Sequence, residues 1–135
     1  MRLLTLTIDF LPESGGLARY ADSLARVFAH DMTVVADVQG NRAACRKLQA
    51  EAPYTLRYEA FMRCAFPRWR GAFRVLREER PDVIIVHHVL PLGTVAWLYG
   101  LFAQTPFVVC LHGMDFATAN ERPWKRFLLR RVLTA

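Results

Sequence analysis

Three short segments carry residue types that a hydrophobic core does not need: Asp9 to Gly16, His87-His88, and His112-Gly113-Met114-Asp115. An imidazole followed by glycine can offer a hydrogen bond to a ligand without a neighbouring side chain crowding it, which makes His112 a candidate catalytic donor. A partly buried ring satisfied by backbone is the alternative reading of the same residue. Gly15 and Gly16 lack Cβ atoms, and the first N–H groups of a helix beginning there, with the positive end of its dipole, suit a phosphate or carboxylate. A tight strand-to-helix turn explains that pair equally well. Asp115 can cap the segment that follows it or pair with Arg122. His87 and His88 raise the question of a metal, but adjacent side chains of an extended chain point oppositely and no Cys or carboxylate completes a ligand set, so none is expected. Neither the G-x-G-x-x-G fingerprint nor the G-x-x-x-x-G-K-[ST] phosphate loop is present.

Each of these segments follows a stretch that reads as a β-strand. Leu3 to Ile8 places Leu4, Leu6 and Ile8 on one face with Thr5 and Thr7 on the other, while Val83 to Val86 and Phe107 to Leu111 are unbroken apolar runs, expected of strands covered on both faces. From Leu17 a helical stripe runs through Tyr20, Ala21, Leu24 and Phe28, and Thr33 to Val38 follows as a second strand. Asn41 is placed to cap a helix from Arg42 to Ala50, Pro53 stops it, and Tyr54 to Tyr58 forms a third strand. Between Ala65 and Arg80, Phe66, Trp69, Phe73 and Leu76 share one helical face, with Arg68, Arg70, Arg74 and Arg77 around the remainder, until Pro81 ends it. Strand and helix in alternation, with fully apolar strands, predict an α/β fold: a Rossmann-like open parallel sheet with helices on both faces. In such sheets ligands bind beyond the carboxyl ends of the strands, where all three chemically competent segments fall.

The 135 residues suit a single domain, with 53% hydrophobic and 22% charged residues and a mean hydropathy of +0.13, which excludes a disordered or low-complexity chain. Lys and Arg number 18 against 12 Asp and Glu, a formal charge of +6, and all but Lys47 and Lys125 are arginine, the cation best matched to phosphate. Cys45, Cys64 and Cys110 are odd in number and contain no C-x-x-C pair, so a reducing, cytoplasmic setting is expected, and no export signal is visible. The uncharged run from Val83 to Met114 is interrupted by Pro91, Gly93, Gly100 and Pro106, leaving a helix from Leu92 to Ala103 of about 18 Å, too short to cross a bilayer. Near the end, Arg122, Lys125, Arg126, Arg130 and Arg131 interleave with Trp124, Phe127, Leu128 and Leu129. A surface helix packing its apolar side on the sheet accounts for that pattern; an interfacial helix on an anionic membrane, with Arg70, Arg74, Lys125, Arg126 and Arg130 as contacts, is the functional alternative. Nucleic acid is not expected, because the aromatics follow core periodicity.

With these residues in place the sequence resembles the N-terminal domain of family 4 glycosyltransferases, enzymes of the GT-B fold with two facing Rossmann-like domains. The resemblance rests on residues 10–20 (FLPESGGLARY), residues 80–88 (RPDVIIVHH) and residues 105–116 (TPFVVCLHGMDF), in the family's order. It implies transfer of a glycosyl group from a nucleoside diphosphate sugar to an acceptor hydroxyl with retention at the anomeric carbon, and no cofactor beyond that substrate. It implies that Gly15 and Gly16 approach the diphosphate or acceptor, that His112 touches the transferred sugar, that His88 contributes to substrate binding, and that Asp115 orders its loop. A glycan or lipid-linked acceptor, a cytoplasmic location at the membrane's inner face, and a C-terminal Rossmann-like domain or partner chain complete the expectation. The sequence stops at Leu133-Thr134-Ala135, so residues 1–135 are expected to be a single N-terminal domain: a fragment, a truncated product or half of a split enzyme. The competing function is a non-catalytic α/β domain that docks on an anionic membrane or a protein partner.

Overall fold

The computed structural model describes residues 1–12, 15–38, 41–60 and 69–135, apart from the side chains of Trp69, Asp115 and Ala119. Five parallel strands, β1 (Leu3–Thr7), β2 (Met32–Asp37), β3 (Thr55–Glu59), β4 (Val83–Val86) and β5 (Phe107–Val109), lie in the order β3-β2-β1-β4-β5. Helices α1 (Gly16–Val27), α2 (Arg42–Glu51), α3 (Trp69–Glu79), α4 (Thr94–Ala103), α5 (Gly113–Asn120) and α6 (Pro123–Leu133) alternate with the strands or follow the last of them. This is the expected α/β, Rossmann-like open parallel sheet. Its winding reverses at β1, which pairs with β2 on one side and, in the register Leu3↔Val83 to Leu6↔Val86, with β4 on the other.

The strands are apolar on both faces because helices cover both faces. Leu4, Leu6, Val35, Ile84 and Val86 pack with Val75 and Leu76 of α3 and with Val95, Ala96 and Tyr99 of α4. On the opposite face Leu3, Met32, Val34, Ala36 and Leu56 meet Ala21 and Ala25 of α1 and, at the margin, Leu48 of α2. Asn41 caps α2 as its spacing predicts, its Oδ1 accepting from the N–H groups of Ala43 at 2.9 Å and Ala44 at 3.3 Å.

Three expectations are corrected. Helix α1 buries Ala18, Ala21 and Ala25, whereas Tyr20 and Phe28 of the anticipated stripe are exposed; small side chains let the helix lie close to the sheet and turn the larger ones outward. Strand β5 is not covered on both faces, because it is the outermost strand of the described sheet: Phe107 and Val109 face the interior while Val108 is 53% exposed. The helix expected from Leu92 begins instead at Thr94, after an irregular turn over Val89–Gly93. Gly93 packs closely there: a Cβ would stand 3.0 Å from the Val132 side chain of α6 and 3.4 Å from the His88 carbonyl oxygen, so a larger residue would require Val132 to shift. No helix among the described residues is long and apolar enough to cross a membrane. Phe66 and Arg68, the first part of the helix expected after Ala65, lie outside the described residues.

Candidate functional site at the strand carboxyl ends

The reversal of winding between β1 and β4 opens a crevice at their carboxyl ends, the place where open α/β sheets leave backbone and side chains free for ligands. Three loops meet there. After β1, the Thr7 hydroxyl donates to the Asp9 carbonyl oxygen at 2.9 Å and so fixes the path of the chain toward α1. After β4, the His87 N–H donates to Leu6 O at 3.3 Å, extending the β1–β4 ladder into the loop. After β5, the Cys110 N–H donates to Val86 O at 2.8 Å and brings His112 to the same edge.

These backbone constraints gather three imidazoles. The His87 and His112 rings stack with centroids 5.8 Å apart and planes 18° from parallel, and the His88 ring lies 6.3 Å from His112. His88 Nε2 faces Asp9 Oδ2 at 3.4 Å. Tyr20, one turn into α1, sets its ring edge-on to His87 at 5.8 Å and to His112 at 6.1 Å. Burial pushes the Cys110 thiol up, and the Tyr20 side chain partly offsets that push. Among the described residues no group of three or more His, Cys, Asp or Glu is arranged to hold a metal ion.

Gly15 is the N-cap of α1, at φ −117° and ψ 156°, and its side-chain-less position leaves the helix start without a side-chain cap. The geometry does not require glycine at 15 or 16: neither has a positive φ, and a Cβ at either would meet no described atom within 4 Å. Among the described residues the Cβ positions of Gly15 and Gly16 at the start of α1 face open space, on the same edge as the histidines. Gly113 is open in the same way. His112, not Asp115, is the N-cap of α5; Asp115 is the third residue inside that helix, so the expectation that it caps the segment is corrected.

The basic residues separate into different roles. Arg74 is engaged by Glu59 at 3.0 Å and Glu78 at 3.6 Å, while Arg70 is exposed on the same helix. Lys125 is half-buried, near Glu121 at 3.9 Å and donating to the Thr118 carbonyl at 3.4 Å, which removes it from a free cationic face. Arg126 and Arg130 are exposed. Helix α6 packs through Leu129 and Val132, and Trp124 and Phe127 are 57% and 56% exposed, so these two aromatics are not the buried side that core periodicity suggests. Tyr20 and His87 were missed as site residues. The available signal was position, since a tyrosine in the first turns of the helix after β1 must lie at the carboxyl edge.

Fold and crevice together define a Rossmann-like α/β domain with a candidate ligand site at its switch point. The sequence matches the model of Glycosyltransferase Family 4 over residues 14–135, and the chain belongs to that family. No curated protein matches it. Among solved structures it is similar to Anabaena HepE in complex with UDP, at a TM-score of 0.67 and 17% identity over 98% of this chain and 35% of that one. It is also similar to UDP-GlcNAc 2-epimerase from Neisseria meningitidis bound to UDP-GlcNAc, at 0.56 and 16% over 98% of this chain and 39% of that one. The likeness is of fold, and the chain spans little more than a third of either protein.

The buried imidazole at the base of the site makes the domain acid-sensitive. His87 is fully buried, and among the described residues neither ring nitrogen has a hydrogen-bond partner. Burial, then the neighbouring His112 and His88, push its pKa down to about 4 from the ordinary 6.5. Below pH 6.5 the unfolded chain gains a proton that the folded chain refuses until about pH 4, so stability present above 6.5 is lost as pH falls through that window. The loss amounts to roughly 3 kcal/mol. Urea unfolding at pH 7.5 and pH 4 should show it, and His87→Phe, which keeps a ring against His112, should remove that part of the pH dependence. An equal dependence in wild type and variant would contradict this assignment.

Proposed function

We propose that this chain is the acceptor-side, N-terminal half of a retaining glycosyltransferase acting on a nucleoside diphosphate sugar. The observation that carries the reading is the convergence of His112, His88, Tyr20 and the uncapped start of α1 on one crevice of a family 4 domain. The reaction breaks the bond between the anomeric carbon and a diphosphate oxygen, forms a bond to the acceptor oxygen, and leaves the acceptor's proton with the diphosphate. Negative charge grows on the leaving group, and donors already in place stabilise it without reorganisation. Gly15 and Gly16 present N–H groups to that charge or to the acceptor, and His112 donates to the sugar near the reacting carbon. His88, buried with its Nε2 toward Asp9, is a further substrate-binding residue of this reading, and Asp115 acts from the first turn of α5. The UDP and UDP-GlcNAc bound by the similar structures support a nucleotide sugar as donor. A second Rossmann-like unit supplies the remaining donor contacts, and a glycan or lipid-linked hydroxyl is the acceptor.

In the longer protein or the reassembled halves, His112→Ala should lower kcat by about two orders of magnitude, the loss expected for one transition-state donor, with an unchanged circular dichroism spectrum. Gly16→Ala should leave the helix as stable or more so while lowering kcat/KM, because the added methyl enters the space the ligand uses. Wild-type turnover in both variants would reject the site.

A second element of the reading is peripheral attachment at a cytoplasmic membrane face, favoured by the exposure of Trp124 and Phe127 beside Arg126 and Arg130 on α6. Aromatic side chains at the acyl boundary and cations at the headgroups describe an interfacial helix, with roughly 1 kcal/mol from each well-placed cation. Sedimentation with phosphatidylglycerol vesicles should retain the wild type at low salt and lose the Trp124→Ala/Phe127→Ala double variant. Equal recovery with neutral and anionic vesicles would remove the membrane from the account.

A further inference from the structure

A cleft of about 1140 Å³ runs along α3 from Arg70 to Arg80, beside the C-terminal end of α4 and the segments that enter β1, β4 and β5. Five arginines line it, Arg2, Arg70, Arg74, Arg77 and Arg80, against the carboxylates of Glu78 and Asp82. Those acids are already engaged: Asp82 Oδ2 accepts from the Arg2 N–H at 2.7 Å with the Arg2 guanidinium at 3.8 Å, and Glu78 faces Arg74 and Arg57, each at 3.6 Å. Among the described residues the guanidinium groups of Arg70, Arg77 and Arg80 have no ion pair or hydrogen bond, the Arg80 backbone N–H donating to the Leu76 carbonyl oxygen at 3.1 Å. The negative ends of the two helix dipoles amount to about one charge together, less than the three unpaired guanidiniums supply.

Backbone strain is directed at this cleft. Arg80 (φ 45°) and Gln104 (φ 52°) are the positive-φ residues other than glycine among those described; Arg80 immediately follows α3, Gln104 caps α4, and both line the cleft. Glycine adopts that conformation without penalty and is the usual residue at helix ends of this kind. A guanidinium and an amide stand there instead, with the Thr105 hydroxyl beside them. Strain held at a residue whose side chain enters a charged concavity points to a ligand.

We propose that this cleft is a second binding site, separate from the carboxyl-edge crevice, for a small molecule carrying phosphate groups. Arg70, Arg77 and Arg80 bind the phosphate oxygens, and guanidinium forks suit such oxygens in pairs. Gln104 and Thr105 supply neutral donors, and the ring of Phe73, set edge-on to Tyr99 at 6.0 Å, forms an apolar wall for the remainder of the ligand. The concave shape favours a free solute over a flat bilayer. The site does not depend on the glycosyl-transfer reading, because it shares no residue with it.

The test is calorimetric titration of the full chain with inorganic pyrophosphate at low salt. Wild type should bind one equivalent saturably, and Arg77→Ala and Arg80→Gly should each weaken binding about tenfold. Arg80→Gly should at the same time raise Tm by about 2–5 °C, since glycine relieves the positive φ, so its weaker binding does not come from unfolding. Arg46→Ala, exposed on α2, should bind as wild type does. Absence of saturable binding, or equal weakening by Arg46→Ala, would overturn the proposal in favour of a diffuse basic surface. Retained affinity in an Arg77→Ala/Arg80→Gly double variant, with loss in His112→Ala, would place the anion at the other edge. Binding to phosphatidylglycerol vesicles without binding to pyrophosphate would assign the arginines to a membrane and equally overturn it.

Discussion

The parallel pairing of β1 with β4 is the constraint on which the site depends. Because β1 has β2 on its other side, the connections from its two neighbours leave in opposite directions, and the crevice between them cannot be filled by either loop. The register that puts Leu6 beside Val86 carries one residue further, to the bond from His87 N–H to Leu6 O, and so places an imidazole where the sheet ends. A buried ring with no partner for its nitrogens costs about 1–3 kcal/mol. The domain bears that cost at the base of the crevice, between the Tyr20 and His112 rings.

Much of this was legible in the sequence, for identifiable reasons. Unbroken apolar runs such as Val83–Val86 can exist only between two layers, so the sheet's class followed from them, and Asn41 and Pro81 marked helix boundaries by local chemistry that tertiary packing did not override. The loops bearing Gly15-Gly16, His88 and His112 were placed on one edge because parallel strands share a direction. Strand order was not readable in the same way, since pairing is decided by long-range packing; the reversal at β1, which joins His87 to the site, came from the structure. Alanines hid the true face of α1, because a stripe sought by large apolar residues passes over Ala18, Ala21 and Ala25. For the same reason Tyr20 read as core, although it borders the histidines. Arg74 read as a free surface cation because its partner Glu59 lies on a different element, beyond the reach of periodicity.

The two ends of the sheet have become chemically distinct by different means. At the carboxyl edge stand open glycines, imidazoles and the start of α1. In the cleft along α3, guanidinium groups without an ion pair among the described residues, Arg80 at a positive φ, give a positive field. The chain belongs to glycosyltransferase family 4, and the proposed function uses the first arrangement alone. The chain covers 35% of the length of the HepE structure it resembles.

The central claim, that the crevice between β1 and β4 receives the nucleotide sugar, is tested most directly by a crystal structure of the longer protein, or of the paired halves, with a UDP-sugar bound. The account predicts the diphosphate or acceptor-side oxygens against the N–H groups of Gly15 and Gly16 and the sugar ring within hydrogen-bond reach of His112. A nucleotide sugar seated away from both, with His112 and the start of α1 facing solvent, would contradict it.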